Sequence, residues 1–148
     1  MTKLKQAVVF DIDGTLANAE HRLHFLAESP KNWTGFFEAM DRDTGHGDII
    51  YLASMLSRTW PILIATGRPS DYRDVTMAWL DRYSVHYDQL YMRPAGDHRD
   101  DGIIKSEIHD LMIEDGYRPW IVFDDRDRVV KMWRDKGIRV LQVADGDF

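Results

Sequence analysis

The chain has 148 residues, 44% of them hydrophobic and 30% charged, with no cysteine and a formal net charge of −6. That length suits one domain over residues 1–148, able to bury roughly 68–70% of its unfolded surface, and five Trp, six Phe and six Tyr exclude a disordered chain. The lack of cysteine excludes disulfide scaffolds, thiolate metal sites and cysteine nucleophiles, and the acidic balance argues against a nucleic-acid coat but not against an enzyme gripping one phosphate.

Taken in chain order, the first apolar run, Ala7–Phe10, predicts a strand. It is too short for a signal-peptide core and ends in acid, and no stretch reaches the ~18 apolar residues of a membrane helix, so a cytoplasmic protein with no membrane contact is expected. The next helical pattern begins near Asp48, about 34 residues after Asp13, too far for an ordinary strand-to-helix loop. Within that gap His21–Ala27 and Trp33–Met40 read as short amphipathic helices separated by Ser29-Pro30, followed by the polar loop Asp41–Gly47. This insert, about residues 18–47, is expected to form a small helical lid over the carboxyl end of the first strand. Its aromatics Trp33, Phe36 and Phe37 suit packing against the core better than stacking on a base.

Beyond the insert, Ile49, Leu52, Ala53 and Leu56 follow a helical period and lead to a strand at Pro61–Ala65. A stripe of Tyr72, Val75, Trp79 and Tyr83 precedes a strand at Gln89–Met92, and one of Ile104, Ile108, Leu111 and Met112 precedes a strand at Trp120–Phe123. Val129, Val130 and Trp133 mark a last helix, ended by Gly137, before a strand at Arg139–Val143. The alternation predicts an α/β fold: a doubly wound, Rossmann-like, five-stranded parallel sheet with its ligand at the carboxyl ends of the strands. The first, second and fourth strands, apolar on both faces, belong in its centre.

Three of these strand ends carry polar groups. Asp11 and Asp13, two residues apart at the end of the first strand, are expected to point to one side, with Gly14 allowing a sharp exit. Two carboxylates about 5 Å apart repel by roughly 3 kcal/mol at an effective dielectric near 20, a cost that a cation would remove. Asp124 and Asp125 end the fourth strand on the same sheet edge, and oxygen donors without Cys or His favour Mg²⁺ over zinc or copper. Thr66, Gly67 and Arg68 after the second strand offer a hydroxyl, bare backbone N–H groups and a planar cation to a phosphate. Lys105 alone would read as a solvated helix residue.

Together, Asp11-Ile12-Asp13-Gly14-Thr15, Thr66, Lys105 and Asp124-Asp125 resemble the four-motif signature of the haloacid dehalogenase superfamily. More closely, Gly96-Asp97-His98-Arg99-Asp100-Asp101 before Lys105, Asp124-Asp125-Arg126, Met132-Trp133-Arg134 and the run Gln142–Phe148 resemble the 3′-phosphatase domain of phage polynucleotide kinase–phosphatases. The resemblance implies a nucleophile at Asp11 and a general acid–base at Asp13, which could donate to the leaving oxygen if held protonated near the metal site. It implies Mg²⁺ on Asp11, Asp13, Asp124 and Asp125, and phosphate or substrate binding by Arg22, Thr66, Gly67, Arg68, Asp101 and Lys105. The implied activity is removal of 3′-phosphates from polynucleotide ends through an aspartyl-phosphate. A nucleotidase acting on nucleoside monophosphates, or a noncatalytic phosphate-binding module, stays open at this point. No Gly-x-x-x-x-Gly-Lys-Ser/Thr loop is present in these residues, so a kinase step would belong to another protein or to a part of the chain beyond them, and a separate kinase or ligase is a possible partner.

Overall fold

A computed structural model describes residues 3–148; Met1 and Thr2 lie outside the described residues. The first apolar run forms β1 (Lys5–Phe10), with Ala7 to Phe10 completely buried. A strand buried on both faces must be covered on both faces. Ala7 and Val9 pack with Ile104, Ile108, Met112, Val130 and Trp133 on one side. Val8 and Phe10 pack with Ala53, Trp79 and Leu80 on the other.

The remaining long strands are β4 (Ile62–Pro69), β5 (Gln89–Arg93), β6 (Tyr117–Asp124) and β7 (Arg139–Gln142), after a short ribbon of β2 (Ala17–Asn18) and β3 (Thr44–Gly45). The five long strands form one sheet in the order β5-β4-β1-β6-β7, and every neighbouring pair is parallel. The expected doubly wound sheet is therefore present, with the three strands read as central in the centre. Helices α2 (Gly47–Leu56), α3 (Arg73–Arg82), α4 (Asp101–Glu114) and α5 (Asp127–Asp135) cover its faces. Two predicted core positions point outward instead: Leu52 and Leu111 are 43% and 48% exposed. Their helices bury a narrower stripe than the apolar pattern suggests.

β4 runs past Ala65 to Pro69, because Thr66 still pairs with Met92 and Pro69 with Arg93 across a register shift. Thr66, Gly67 and Arg68 thus sit on the sheet rather than in a free loop. The insert also differs from expectation. Its first helical segment, Glu20–Leu26, is a 3₁₀ helix whose buried member is Arg22 rather than an apolar residue. The second is α1 (Trp33–Glu38), capped by Asn32, whose side-chain oxygen accepts from the Gly35 N–H at 2.9 Å. The stretch read as a polar loop contains β3, which pairs antiparallel with β2 and closes the base of the insert. It also contains the buried Asp43. Among the described residues, no helix is long and apolar enough to cross a membrane.

Candidate active site

From β1 the chain moves outward to β4 and β5, then returns to the other side of β1 for β6 and β7. Neighbouring strands whose connections diverge in this way leave a crevice at their carboxyl ends. The crevice lies between β1 and β6. Asp11 stands just past β1, and its N–H donates to the Phe123 carbonyl at 3.0 Å, continuing the β1–β6 pairing. Beneath it the rings of Phe10 and Phe123 stack with centroids 4.6 Å apart, a rigid floor for both strand ends.

Asp11, Asp124 and Asp125 each place a carboxylate oxygen within 4.8 Å of the others, and all three residues are buried. Lys105, near the start of α4 and itself buried, donates to Asp11 Oδ1 at 2.8 Å and to Asp124 Oδ2 at 2.7 Å. Thr15 Oγ1 donates to the other Asp11 oxygen at 3.3 Å. One ammonium against three carboxylates leaves surplus negative charge. Burial, then the neighbouring Asp124, raises Asp11 well above the usual carboxylate range, although Lys105 opposes the shift. The same two causes push Asp125 up to about 6. Burial would lower Lys105, but Asp11 and Asp124 outweigh it and hold the ammonium well above its ordinary value. Buried oxygen donors that resist ionising for want of positive charge suit a hard divalent cation.

The fourth predicted metal ligand is not brought to this group. β1 ends at Phe10, and a turn closed by the Thr15 and Ala17 N–H groups on the Ile12 carbonyl breaks the alternation assumed for Asp13. Its side chain meets two arginines instead. Arg22 Nη2 donates to Asp13 Oδ1 at 2.6 Å, and Arg68 Nη2 and Nε donate to the same oxygen at 2.7 and 3.1 Å. Burial alone would raise Asp13, but Arg68 and Arg22 outweigh it and hold the carboxyl well below the usual range. The two guanidinium groups facing Asp13 thus favour its ionised form over the protonated one.

Arg22 and Arg68 were expected to bind phosphate. Both side chains are fully buried, and their donors go to Asp13, Asp43, the Phe36 carbonyl and Thr76. Thr66 is buried within β4, its Oγ1 accepting from the Arg68 N–H at 3.1 Å. At Gly67 a β-carbon would lie 2.7 Å from Asp101 Oδ1, so glycine lets the Asp101 carboxylate approach the strand. Asp101 accepts from Arg93 and Arg126 and makes ion pairs with both. Gly14, at φ +85°, lies so close to the Asp125 carboxylate that a β-carbon there would overlap it. Sequence reading missed Asp43 and Arg93. Asp43 lies in the insert, 21 and 25 residues from its arginine partners, and Arg93, although it ends β5, lies outside the motifs read from the sequence.

The crowding of carboxylates has a measurable cost. Because folding raises Asp125 to about 6, its ionisation opposes folding above that pH and not below the unfolded value. Asp125→Asn removes the charge and offers an N–H to Asp11. In EDTA at pH 8 it is expected to stabilise the fold by on the order of 2 kcal/mol, a rise in Tm of roughly 4–8 °C. Melting curves at pH 8 and pH 4 check this. The gain should disappear at pH 4, and an equal gain at both would remove the carboxylate repulsion as its cause.

The polynucleotide kinase PNKP phosphatase domain family matches residues 5–148. A protein of Autographa californica nuclear polyhedrosis virus, named for paired polynucleotide kinase and RNA ligase activities, is 29% identical over 136 residues, which is 90% of this chain and 18% of the viral protein. A chain of the Pnkp1/Rnl/Hen1 RNA repair complex superposes with a TM-score of 0.85 at 31% identity, covering 98% of this chain and 44% of that one. The haloacid dehalogenase-like protein SP0104 of Streptococcus pneumoniae, 16% identical, shares the fold with a TM-score of 0.68 over 96% of this chain and 85% of its own. The chain thus spans less than half the length of its first two relatives. With the match extending over every strand and every acid of the crevice, the chain belongs to the PNKP phosphatase domain family and is a phosphatase of haloacid dehalogenase fold.

Proposed function

We propose that the protein is a Mg²⁺-dependent phosphomonoesterase that removes 3′-phosphates from polynucleotide ends. The observation that carries this reading is Lys105 bridging Asp11 and Asp124 at the β1–β6 crevice, inside the matched residues. Asp11 Oδ1 and Oδ2 are held by Lys105 and Thr15, so its carboxylate is oriented to attack phosphorus. The P–O bond to the sugar then breaks as the Asp11–phosphorus bond forms, and the leaving oxygen takes a proton from Asp13. The resting Asp13 is ionised, so that proton enters with the phosphate monoanion or from solvent. Asp13 later removes a proton from the water that hydrolyses the aspartyl-phosphate, and inorganic phosphate leaves.

Asp11, Asp124 and Asp125 would hold the Mg²⁺, which neutralises charge on the phosphate oxygens when bound. Lys105 and the Thr66–Gly67 strand end would bind those oxygens as well. Asp101, pinned by Arg93 and Arg126, would set the position of that strand end, while Arg22 and Arg68 would act on Asp13. The insert, residues 18–47, would be a lid over this edge within one phosphatase domain. A kinase or ligase step, on a separate partner or on a further part of the same chain, fits the relatives named above, and the setting would be nucleic-acid repair or ligation in the cytoplasm.

The test compares inorganic phosphate release from DNA and RNA oligonucleotides phosphorylated at the 3′ or the 5′ end, and from 3′- and 5′-mononucleotides. The 3′-phosphorylated oligonucleotides are expected to have the highest kcat/KM, with activity lost in EDTA and restored by Mg²⁺. A higher kcat/KM on 5′-mononucleotides would make the protein a nucleotidase instead.

A further inference from the structure

We infer that Asp43, delivered by the insert, is a positioning residue that orients Asp13 by fixing Arg22 and Arg68 upon it; this rests on the acid–base role proposed above for Asp13. Arg22 donates from Nε to Asp43 Oδ1 at 2.7 Å and from Nη2 to Oδ2 at 2.6 Å, a two-point pairing. Arg68 Nη2 donates to the same Oδ2 at 3.2 Å. The side chains of Arg22, Arg68 and Asp43 are all at 0% exposure, while that of Asp13 is 27% exposed. Two guanidinium groups therefore lie side by side out of water, and Asp13 alone would balance only one of them. Asp43 supplies the second negative charge from the side away from solvent. It leaves a neutral group of four whose only open member is Asp13.

Asp43 is anchored independently of the arginines. Its carbonyl accepts from Trp79 Nε1 at 2.9 Å and from the Tyr83 hydroxyl at 3.3 Å, which ties it to α3, and its N–H donates to the Met40 carbonyl. His21 Nε2 lies 2.7 Å from Asp43 Oδ1 on the outer side. The Phe36 ring lies against the Arg22 guanidinium, 4.4 Å away, and the Phe36 carbonyl accepts from Nη1, so Arg22 has a single available pose. The consequence appears at Asp13. Oδ1 receives donors from both arginines, whereas among the described residues Oδ2 receives only the long 3.3 Å contact from Arg68 Nε. The carboxyl group is thus turned so that Oδ2 keeps its lone pairs for the leaving oxygen and for water.

Without a carboxylate at position 43, Arg22 loses its two-point pairing and the grip on Oδ1 loosens. The effect should depend on how much the leaving group needs a proton. Sugar alkoxide needs one; p-nitrophenolate does not. The measurement is kcat/KM, which reports steps up to phosphoryl transfer to Asp11, on a 3′-phosphorylated oligonucleotide and on p-nitrophenyl phosphate. Asp43→Asn is expected to lower it about 10- to 100-fold on the oligonucleotide and less than about 3-fold on the aryl phosphate. Asp13→Asn should show the same selectivity more strongly.

Equal losses on both substrates, or no loss on either, would overturn the role of Asp43. If Asp13→Asn shows no selectivity, the acid–base reading fails first. If Asp13→Asn is selective and Asp43→Asn is not, only the positioning role fails. Should Asp43→Asn not fold, Asp43→Glu keeps the charge and is read the same way, with a smaller selective loss expected and equal losses overturning the role.

Discussion

Asp11→Asn is expected to release no measurable inorganic phosphate from any phosphomonoester, a loss of at least ~10⁴-fold. The amide has nearly the shape of the carboxylate but no charge with which to attack phosphorus. Because burial and Asp124 already resist ionisation of Asp11, the substitution should also leave the fold intact and raise its Tm in EDTA. Loss of activity together with gain of stability separates a chemical role from damage to the fold. A second measurement on the unsubstituted protein reads the intermediate directly: acid quench during turnover of a ³²P-labelled 3′-phosphate should leave base-labile label on Asp11. Retained turnover in Asp11→Asn would show that water attacks the substrate itself, and the covalent route would be abandoned.

Lys105→Met combines a catalytic loss with a structural one. Nζ is the cation that both Asp11 and Asp124 contact, and all three groups are buried. Removing one partner from a buried ionic group typically costs about 3–5 kcal/mol, because the remaining charges stay out of water unpaired. Melting in EDTA should therefore fall by roughly 6–20 °C. Mg²⁺ should return part of that loss by supplying positive charge to the same carboxylates. Activity in Mg²⁺ should be lower by about 10²–10³-fold, the usual effect of deleting one preorganised donor to developing charge. An unchanged Tm in EDTA would mean that Lys105 does not neutralise the buried acids, and the electrostatic description of the crevice would need revision.

Much of the architecture is legible in the residues because it depends on short-range pattern. Ala7–Phe10 is apolar at every position, and only a central parallel strand buries both faces of such a run. Asp11 follows directly on β1 and Asp124 ends β6, so their arrival at one sheet edge follows from topology once the strands are placed. Lys105 became visible only through its order among the motifs, since it stands 94 residues from Asp11 and nothing local distinguishes it from a surface lysine. Arg22 was likewise marked only by resemblance, and burial in a 3₁₀ segment reverses what its polar character suggests.

The alternation of apolar runs with helical stripes and the strand-end acids by themselves determined an α/β fold with a cluster of oxygen donors at its carboxyl edge, and the resemblance of the four motifs added the phosphatase reading. What they could not determine is which acid faces which cation. Alternation predicted a shared space for Asp11 and Asp13; the tertiary structure sends one to Lys105 and the other to Arg22 and Arg68. Asp43 lies 21 and 25 residues from those arginines and 36 from Trp79, which anchors its backbone. Strand and helix periods report which side chains leave water along one element. The pairing of charges is decided by side chains that meet only after the insert has folded against the sheet, where a buried carboxylate must find a cation or remain unpaired.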